Sequence, residues 1–222
     1  MDAIEVMRAT GACRRFRPDP VPDAVLARVF DAARFGPQGG NRQPVRYVVV
    51  RDAATRARLG EWYLARARPV FESYRSGGYR VGNTEPGDEL PPMIREGLHL
   101  AEHFAEVPVL VVVCAVFSSL FRTDADLDRP GVVGGASIYP SVQNLLLAAR
   151  VEGLGTCLTT LLCADEPRVR ELLGLPDDVI VAAVVPLGYP ERALPTRLSR
   201  APVEDVVYAD RYGVPLFARP VP

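Results

Sequence analysis

The chain has 222 residues, of which 48% are hydrophobic and 24% are charged. This length and balance are typical of one soluble globular domain, and residues 1–222 are expected to form a single unit. The formal net charge of −1 argues against a general affinity for nucleic acid or for anionic membranes. Apart from the two histidines, every basic side chain is an arginine, so any cationic ligand for a phosphate must be arginine.

The cysteines indicate a reducing compartment rather than a disulfide framework. None of the four forms a C-x-x-C pair, and together with His99 and His103 they give no zinc-binding spacing, so no metal is expected. The first residues lack the basic and apolar regions of a signal peptide. The longest apolar run, 107–117, is too short to span a bilayer. These observations predict a cytoplasmic protein.

The spacing of apolar residues predicts blocks of helices separated by a few strands. Helices are predicted at 4–8, 23–36, 52–67, 94–105, 137–149 and 166–173. Strands are predicted at 45–51, 107–116, 153–162 and 179–187, and one ordered part at 203–208 lies in a proline-rich tail. Asp23 is placed to cap the second helix, and the run 107–116 is apolar enough for a central buried strand. This order is not the regular alternation of a doubly wound sheet.

The least regular region is 73–92, which is rich in glycine and proline and offers little to a core. A long loop of this kind is typical of a lid over a binding site. Tyr74, Arg75 and Tyr79 are the candidates for contact with a substrate, because they can stack on it or pair with its charge.

A polar turn at 36–44 reads Gly-Pro-Gln-Gly-Gly-Asn-Arg-Gln-Pro. Its amide side chains, Gln38, Asn41 and Gln43, can each donate and accept hydrogen bonds. The pyrimidine edge of a flavin presents alternating donors and acceptors, which these residues match. A plain connection between a helix and a strand would use the same residue types, so both interpretations stay open.

Four arginines precede this turn, at Arg8, Arg14, Arg15 and Arg17. They fit either an ordinary surface or a clamp for a phosphate. In an extended segment Arg15 and Arg17 share a face and Arg14 points away, so at most one or two can reach a single ligand.

Two further segments bear on a nucleotide or flavin site. Thr159 and Thr160 end a predicted strand, where a hydroxyl or a backbone N–H could contact flavin N5, although threonines at a strand end are common without any ligand. The glycine-rich run at 131–135 lacks the order G-x-G-x-x-G, which argues against a Rossmann dinucleotide site.

Taken in order, several motifs resemble the FMN-dependent nitroreductase family, and the resemblance covers most of the chain. The motifs are Cys-Arg-Arg-Phe at 13–16, Ala-Ala-Arg-Phe-Gly-Pro-Gln-Gly-Gly-Asn-Arg-Gln-Pro at 32–44, Gln-Asn-Leu-Leu-Leu-Ala-Ala at 143–149, Gly-Leu-Gly-Thr at 153–156 and Pro-Leu-Gly-Tyr-Pro at 186–190. The segments 158–160 and 168–175 are more similar to the branch that holds iodotyrosine deiodinase and dimethylbenzimidazole synthase than to the typical bacterial nitroreductases.

The resemblance implies an α+β fold with a small, mostly antiparallel central sheet flanked by helices. It also implies a homodimer that binds FMN at the subunit interface and swaps its C-terminal tail onto the partner. The implied cofactor-binding residues are Arg14, Gln38, Asn41, Gln43, Leu158, Thr159, Thr160 and Arg200, with Arg8 and Arg197 as further candidates. The family motif Arg-Arg-Ser-x-Arg is replaced by Thr-Gly-Ala-Cys-Arg at 10–14, so Arg8 or backbone N–H groups would have to supply the missing phosphate contact.

The function implied by the resemblance is that of an FMN-dependent oxidoreductase with ping-pong kinetics. NADH or NADPH would reduce the flavin and leave, and an electron-poor acceptor such as a nitroaromatic or a quinone would then occupy the same face. Because the cofactor carries the chemistry, no catalytic side chain is predicted. Two alternatives stay open, namely a flavin-binding or storage protein without turnover and an enzyme that fragments its own reduced flavin with oxygen. The substrate-clamping lid residues of the deiodinase have no match, so deiodination is not predicted.

Overall fold

The computed structural model describes residues 2–75 and 90–218. Its helices are α1 (Ala3–Ala9), α2 (Asp23–Ala33), α3 (Ala53–Arg75), α4 (Pro92–Glu102), α5 (Tyr139–Val151) and α6 (Glu166–Leu173). Its strands are β1 (Val45–Val50), β2 (Val109–Val116), β3 (Gly155–Thr156) and β4 (Val179–Gly188). Short 3₁₀ turns cover Gly39–Asn41, Phe104–Glu106, Phe117–Ser119, Val133–Ser137, Leu161–Asp165 and Val203–Asp205. Within the described ranges, no helix is both long and apolar enough to cross a membrane.

The strands form one antiparallel sheet in the order β1-β2-β4-β3. Strand β2 is buried on both faces because alternate side chains enter two different cores. Val109, Val111 and Val113 pack in the core formed with α2 and α5, whereas Leu110 and Val112 pack in the core formed with α3 and α4. Helices therefore cover both faces of an antiparallel sheet, which confirms the predicted α+β fold and the predicted central buried strand.

The C-terminal end of helix α3 lies eight residues beyond the predicted end, since the helix ends at Arg75 and not near position 67. The apolar stripe weakens at Arg66, but tertiary contacts support the extension. Arg66 pairs with the buried Asp165 through Nε–Oδ2 and Nη2–Oδ1 distances of 2.7 and 2.8 Å. Further along, a Cβ at Gly97 of α4 would lie 3.3 Å from the Phe71 ring, so the two helices are in close contact there.

The predicted loop at 73–92 is therefore wrong at its N-terminal end, because residues 73–75 belong to α3. Tyr74 is 1% exposed in that helix, so it is not presented on a surface loop as predicted. Only the backbone of Arg75 is described, and Tyr79 lies outside the described residues. At the other end, helix α4 begins at Pro92, two residues before the predicted start.

Two other local predictions are wrong. Asp23 is the first residue of α2 rather than its cap, and Pro22 occupies the cap position without a side-chain hydrogen bond. The predicted strand at 153–162 shortens to β3, because the chain turns into a 3₁₀ helix at Leu161–Asp165. Beyond β3, Cys157 N donates to Pro186 O at 3.2 Å, and Thr159 forms an isolated bridge to Val184 of β4.

Candidate functional site

Residues 8–17, here called the arginine segment, lie along the β3 edge of the sheet and against the chain that follows β4. Four backbone hydrogen bonds fix this position. Cys13 N donates to Thr156 O at 2.7 Å, Arg17 N to Tyr189 O at 2.9 Å, Glu191 N to Arg15 O at 3.1 Å and Leu198 N to Arg8 O at 2.8 Å. Because the backbone carries these contacts, the arginine side chains are left to interact with other groups.

Two of these side chains are engaged in ion pairs. The Arg15 Nε atom lies 2.7 Å from Glu96 Oε2, and Arg17 Nε lies 3.4 Å from Asp19 Oδ2. Arg14, in contrast, has no hydrogen bond or ion pair with any residue that the structure describes. The sequence predicted that Arg15 and Arg17 share a face and that Arg14 points away. This prediction is wrong, because Arg14 and Arg15 line the same cavity, whereas Arg17 pairs with Asp19.

Arg14 lines a cavity of about 220 Å³ together with His99 and His103. Burial lowers the pKa of His99, with Arg15 and His103 acting in the same direction, so His99 is neutral at pH 7. Burial raises the pKa of Tyr63, and the Thr159 side chain and the Arg14 charge oppose that rise.

Arg8 and Arg197 are brought together around a second cavity of about 300 Å³, which Arg150 and Thr196 also line. Neither Arg8 nor Arg197 pairs with a described residue. Arg150 of α5 donates from Nη2 to Pro195 O at 2.9 Å, and its buried Nε has no partner within 2–75 and 90–218. Glu5 is the one acid on this cavity, and its carboxylate accepts from Asp2 N at 3.0 Å. Arg8, Arg150 and Arg197 therefore line one cavity.

The two positions where the family motif would have arginines are occupied by structural contacts. Thr10 ends α1, and its hydroxyl donates to Val6 O at 2.7 Å. A Cβ at Gly11 would lie 2.9 Å from Leu198 Cδ2 and 3.3 Å from Pro195 Cγ, so the tail packs directly on the glycine. A long side chain at either position would displace these contacts.

The segment 158–160 projects from the sheet after β3. Thr159 uses its backbone for the sheet, because its N–H donates to Val184 O at 3.0 Å and its carbonyl accepts from Val184 N at 2.8 Å. Leu158 and Thr160 are exposed, and the Thr160 N–H has no hydrogen-bond partner among the described residues. Thr160 therefore offers a free donor at this edge, whereas the backbone of Thr159 does not.

The polar turn at 36–44 is anchored on the start of α5. A Cβ at Gly36 would lie 2.3 Å from Ser141 N, so only glycine permits this approach, and Gly39 N donates to Ser137 Oγ at 3.1 Å. Asn41 and Gln43 both have a φ of 49°, a conformation that is uncommon for a residue such as glutamine.

The amides of this turn differ in their surroundings. Asn41 and Gln43 are exposed, whereas Gln38 is half-buried. The buried Gln38 Oε1 has no hydrogen-bond partner in the described part of the chain, although its Nε2 lies 3.5 Å from Ser141 Oγ. The turn thus presents unpaired amide groups that suit a ligand with both donors and acceptors.

On a single chain, the predicted cofactor residues fall into separate groups. Arg8 and Arg197 line one cavity, Arg14 lines another, and Thr160 lines a third together with Ile138 and Tyr139. The turn at 36–44 lies on the start of α5. Arg200 joins none of these groups, because it is exposed and its Nη1 donates to the carbonyl of its neighbour Ser199 at 2.7 Å. Sequence reasoning missed Arg150, since nothing in the spacing of α5 distinguishes it from a surface arginine.

Comparison with known proteins identifies the class of this fold and site. The family model described as Nitroreductase family matches residues 7–189, and the chain belongs to this family. The chain is 31% identical over 213 residues to a protein named NADH dehydrogenase from Thermus thermophilus, covering 93% of this chain and 95% of the relative. It is 26% identical over 211 residues to nitrobenzene nitroreductase from Ectopseudomonas oleovorans, covering 86% of this chain and 88% of the relative.

A solved structure supports the same fold. The structure of oxidised iodotyrosine deiodinase bound to FMN and 3-iodo-L-tyrosine aligns with a TM-score of 0.68 at 21% identity, covering 95% of this chain and 98% of that one. The family resemblance inferred from the sequence motifs is thereby confirmed, and the protein belongs to a family of oxidoreductases.

Proposed function

We propose that this protein is an FMN-dependent oxidoreductase that takes electrons from NADH or NADPH and passes them to an electron-poor acceptor, such as a nitroaromatic or a quinone. The observation that carries the proposal is the match of the Nitroreductase family model to residues 7–189. Two features of the fold support it: Arg8, Arg150 and Arg197 line one cavity, and the Thr160 N–H has no partner among the described residues. FMN, when bound, would supply the hydride chemistry. The names of the relatives, NADH dehydrogenase and nitrobenzene nitroreductase, favour the same donor and one of these acceptors.

The residues of this chain fit the cofactor group by group. Arg8, Arg197 and Arg150 would hold the phosphate with charge-assisted hydrogen bonds, in place of the arginine that is missing near position 10. Arg14, whose guanidinium is unpaired among the described residues, would face the flavin, and the Thr160 N–H would point toward N5. The amides of Gln38, Asn41 and Gln43 would bind the pyrimidine edge.

A homodimer explains why these groups are separate on one chain. The turn of a second copy could face the β3 edge of the first, so that FMN lies at the subunit interface. An exposed apolar surface supports this assembly, since Ile4, Met7, Phe35 and Val151 are 53%, 55%, 66% and 63% exposed. Arg200 and the tail beyond it would contribute by crossing to the partner.

The donor and the acceptor would use the same site one after the other, as in ping-pong kinetics. The chain would then need to orient each ligand and exclude water, while no side chain has to act as an acid or a base. This agrees with the site, where Cys13 has a pKa raised to about 11 by burial and is a neutral thiol at pH 7.

The first experiment loads the purified chain with FMN and adds NADH or NADPH without oxygen. We expect the flavin absorbance to bleach and to return when nitrobenzene or a quinone is added. A flavin that binds but does not bleach would indicate a storage protein. Irreversible loss of the absorbance in air, without any acceptor, would indicate flavin fragmentation. No uptake of FMN would overturn the proposal.

The second experiment tests the phosphate contacts. The double variant Arg8→Gln/Arg197→Gln should raise the Kd for FMN by about 100-fold or more, because each charge-assisted contact contributes about 1.5–3 kcal/mol. Riboflavin, which has no phosphate, should bind the variant and the parent equally. Arg58→Gln in α3 is the matched control, since Arg58 pairs with the exposed Glu61, lies over the Trp62 ring and should leave FMN binding unchanged. Equal FMN affinity in the double variant would contradict the assigned phosphate site.

A further inference from the structure

A large cavity is lined in part by Thr160. It has a volume of about 710 Å³ and is lined by residues of β4, by the turn after β2 and by the glycine-rich run at 131–135. Phe117 and Tyr139 contribute aromatic rings to its wall. This size and this lining are typical of a site for a small organic molecule.

Most of the ionisable groups on this cavity carry no free charge at pH 7. Asp124 is 4% exposed, and its Oδ2 accepts from Val132 N at 2.7 Å, from Val133 N at 3.2 Å and from Arg129 Nη1 at 3.0 Å. These hydrogen bonds, of which the one from Val132 has the largest effect, hold the pKa of Asp124 below its usual value. The Asp124 carboxylate is therefore already bonded to its own loop.

The other two titratable side chains are neutral. Tyr139 donates its hydroxyl to Ala182 O at 3.2 Å, and burial raises the pKa of its phenol. Burial likewise raises the pKa of the Cys163 thiol to about 11. Neither group can therefore balance a positive charge in the cavity at pH 7.

Arg122 is the remaining charge, and its guanidinium has no hydrogen bond or ion pair with the described residues. Its guanidinium carbon lies 4.5 Å from the centroid of the Phe117 ring, which holds the group against the aromatic wall. A Cβ at Gly134 would lie 3.5 Å from Arg122 Cγ, so the glycine makes room for the arginine stem. The cavity thus combines an aromatic wall with one positioned cation whose donors are available.

We propose that the electron acceptor is an aromatic compound that carries a carboxylate, and that Arg122 binds this carboxylate and so determines specificity. This inference rests on the proposed function, because it places the acceptor beside Thr160. The aromatic ring would lie against the apolar wall, and the carboxylate would pair with the fork of guanidinium donors. Arg122 touches only the carboxylate and takes no part in electron transfer.

The test uses the FMN-loaded protein and compares para-nitrobenzoate with para-nitrobenzyl alcohol, which has a similar shape and no charge. We expect kcat/KM for the benzoate to exceed that for the alcohol by about tenfold or more, which corresponds to about 1.4 kcal/mol. Arg122→Gln should remove this preference by lowering kcat/KM for the benzoate about tenfold, and Arg122→Lys should keep part of the preference. Arg58→Gln is the control, because it also removes one positive charge but at an exposed ion pair in α3. It should leave the preference for the benzoate unchanged.

The outcomes separate this inference from the function on which it rests. Turnover of the alcohol without any preference for the benzoate would overturn the inference alone. A preference that survives in Arg122→Gln would also overturn it, as would a change in the ratio of NADPH to NADH use, which would assign Arg122 to the donor. Failure to oxidise the electron donor with either nitro compound would overturn the proposed function together with the inference.

Discussion

The central strands β2 and β4 and the arginine segment lie in the same sheet region but are stabilised in different ways. In β2, the side chains from Val109 to Ala115 are at most 1% exposed and pack in two apolar cores. In the arginine segment, backbone hydrogen bonds to Thr156 and Tyr189 fix the chain, while Arg8 and Arg14 have no partner among the described residues. Side-chain packing therefore stabilises the core around β2. Backbone hydrogen bonds hold the arginine segment in place, which leaves its arginine side chains available to bind a ligand.

This comparison predicts that substitutions in the core mainly change stability, whereas substitutions at the edge mainly change ligand binding. The largest effect is expected for Leu110→Ala, because Leu110 is fully buried. The cavity it leaves should lower the free energy of unfolding by about 2–5 kcal/mol, measured by urea denaturation. Leu127→Ala is the control, since Leu127 is 54% exposed and should change stability by less than about 0.5 kcal/mol. A small effect at Leu110 would break the comparison.

Gly155→Ala tests the contact between Gly155 of β3 and Cys13, which joins the sheet to the arginine segment. The new Cβ would lie 2.5 Å from Cys13 Sγ and 2.6 Å from Cys13 Cβ, so the segment must shift. We expect a loss of about 1–3 kcal/mol in stability and weaker FMN binding, because Arg14 follows Cys13. In Gly11→Ala the nearest atom is the end of the Leu198 side chain, which can rotate, so stability should fall by less than about 1 kcal/mol. Equal effects of Gly155→Ala and Gly11→Ala on stability and FMN binding would show that the contact between Gly155 and Cys13 does not position Arg14.

Asp165→Asn tests an ion pair that is buried on one side only. Asp165 is 6% exposed and pairs with Arg66, whose side chain is 47% exposed, so we expect a loss of about 1.5–3 kcal/mol in unfolding free energy at pH 7.

The pH dependence of this effect has a definite sign. The hydrogen bond from Arg66 lowers the pKa of Asp165 in the folded state. The ion pair therefore contributes fully to the free energy of unfolding above the pKa of about 3.9 that Asp165 has in the unfolded chain. This contribution is lost as the pH falls through the lower pKa of Asp165 in the folded protein. Urea denaturation from pH 7 to pH 3 should show the difference between parent and variant shrinking at the acidic end. A difference that grows at low pH would contradict this assignment.

Glu61→Gln should have the smallest effect. Glu61 and its partner Arg58 are 63% and 61% exposed, so solvent screens the pair. We expect a change below about 0.5 kcal/mol in unfolding free energy and none in FMN affinity. A larger change would remove the basis for using Arg58→Gln as a control.

The sequence predicted the core more fully than the site. The apolar run at 107–116 identified β2, and the helix at 166–173 was predicted with the bounds that the structure gives, because it has a local stop at Gly174 with a φ of 63°. The far end of α3 was missed, since its support comes from Asp165 and Gly97, which are distant in sequence.

The sequence alone determined the class of fold, the family and the residue types that could bind a phosphorylated flavin, because periodicity and ordered motifs are local properties of the chain. The tertiary structure decided which arginines meet. It joined Arg8 and Arg197 with Arg150 and left Arg122 as the uncompensated charge in its cavity. Which arginines share a cavity depends on how the tail folds back on the arginine segment. Which charge stays unpaired depends on the groups that lie around it, and the local spacing of residues predicts neither property.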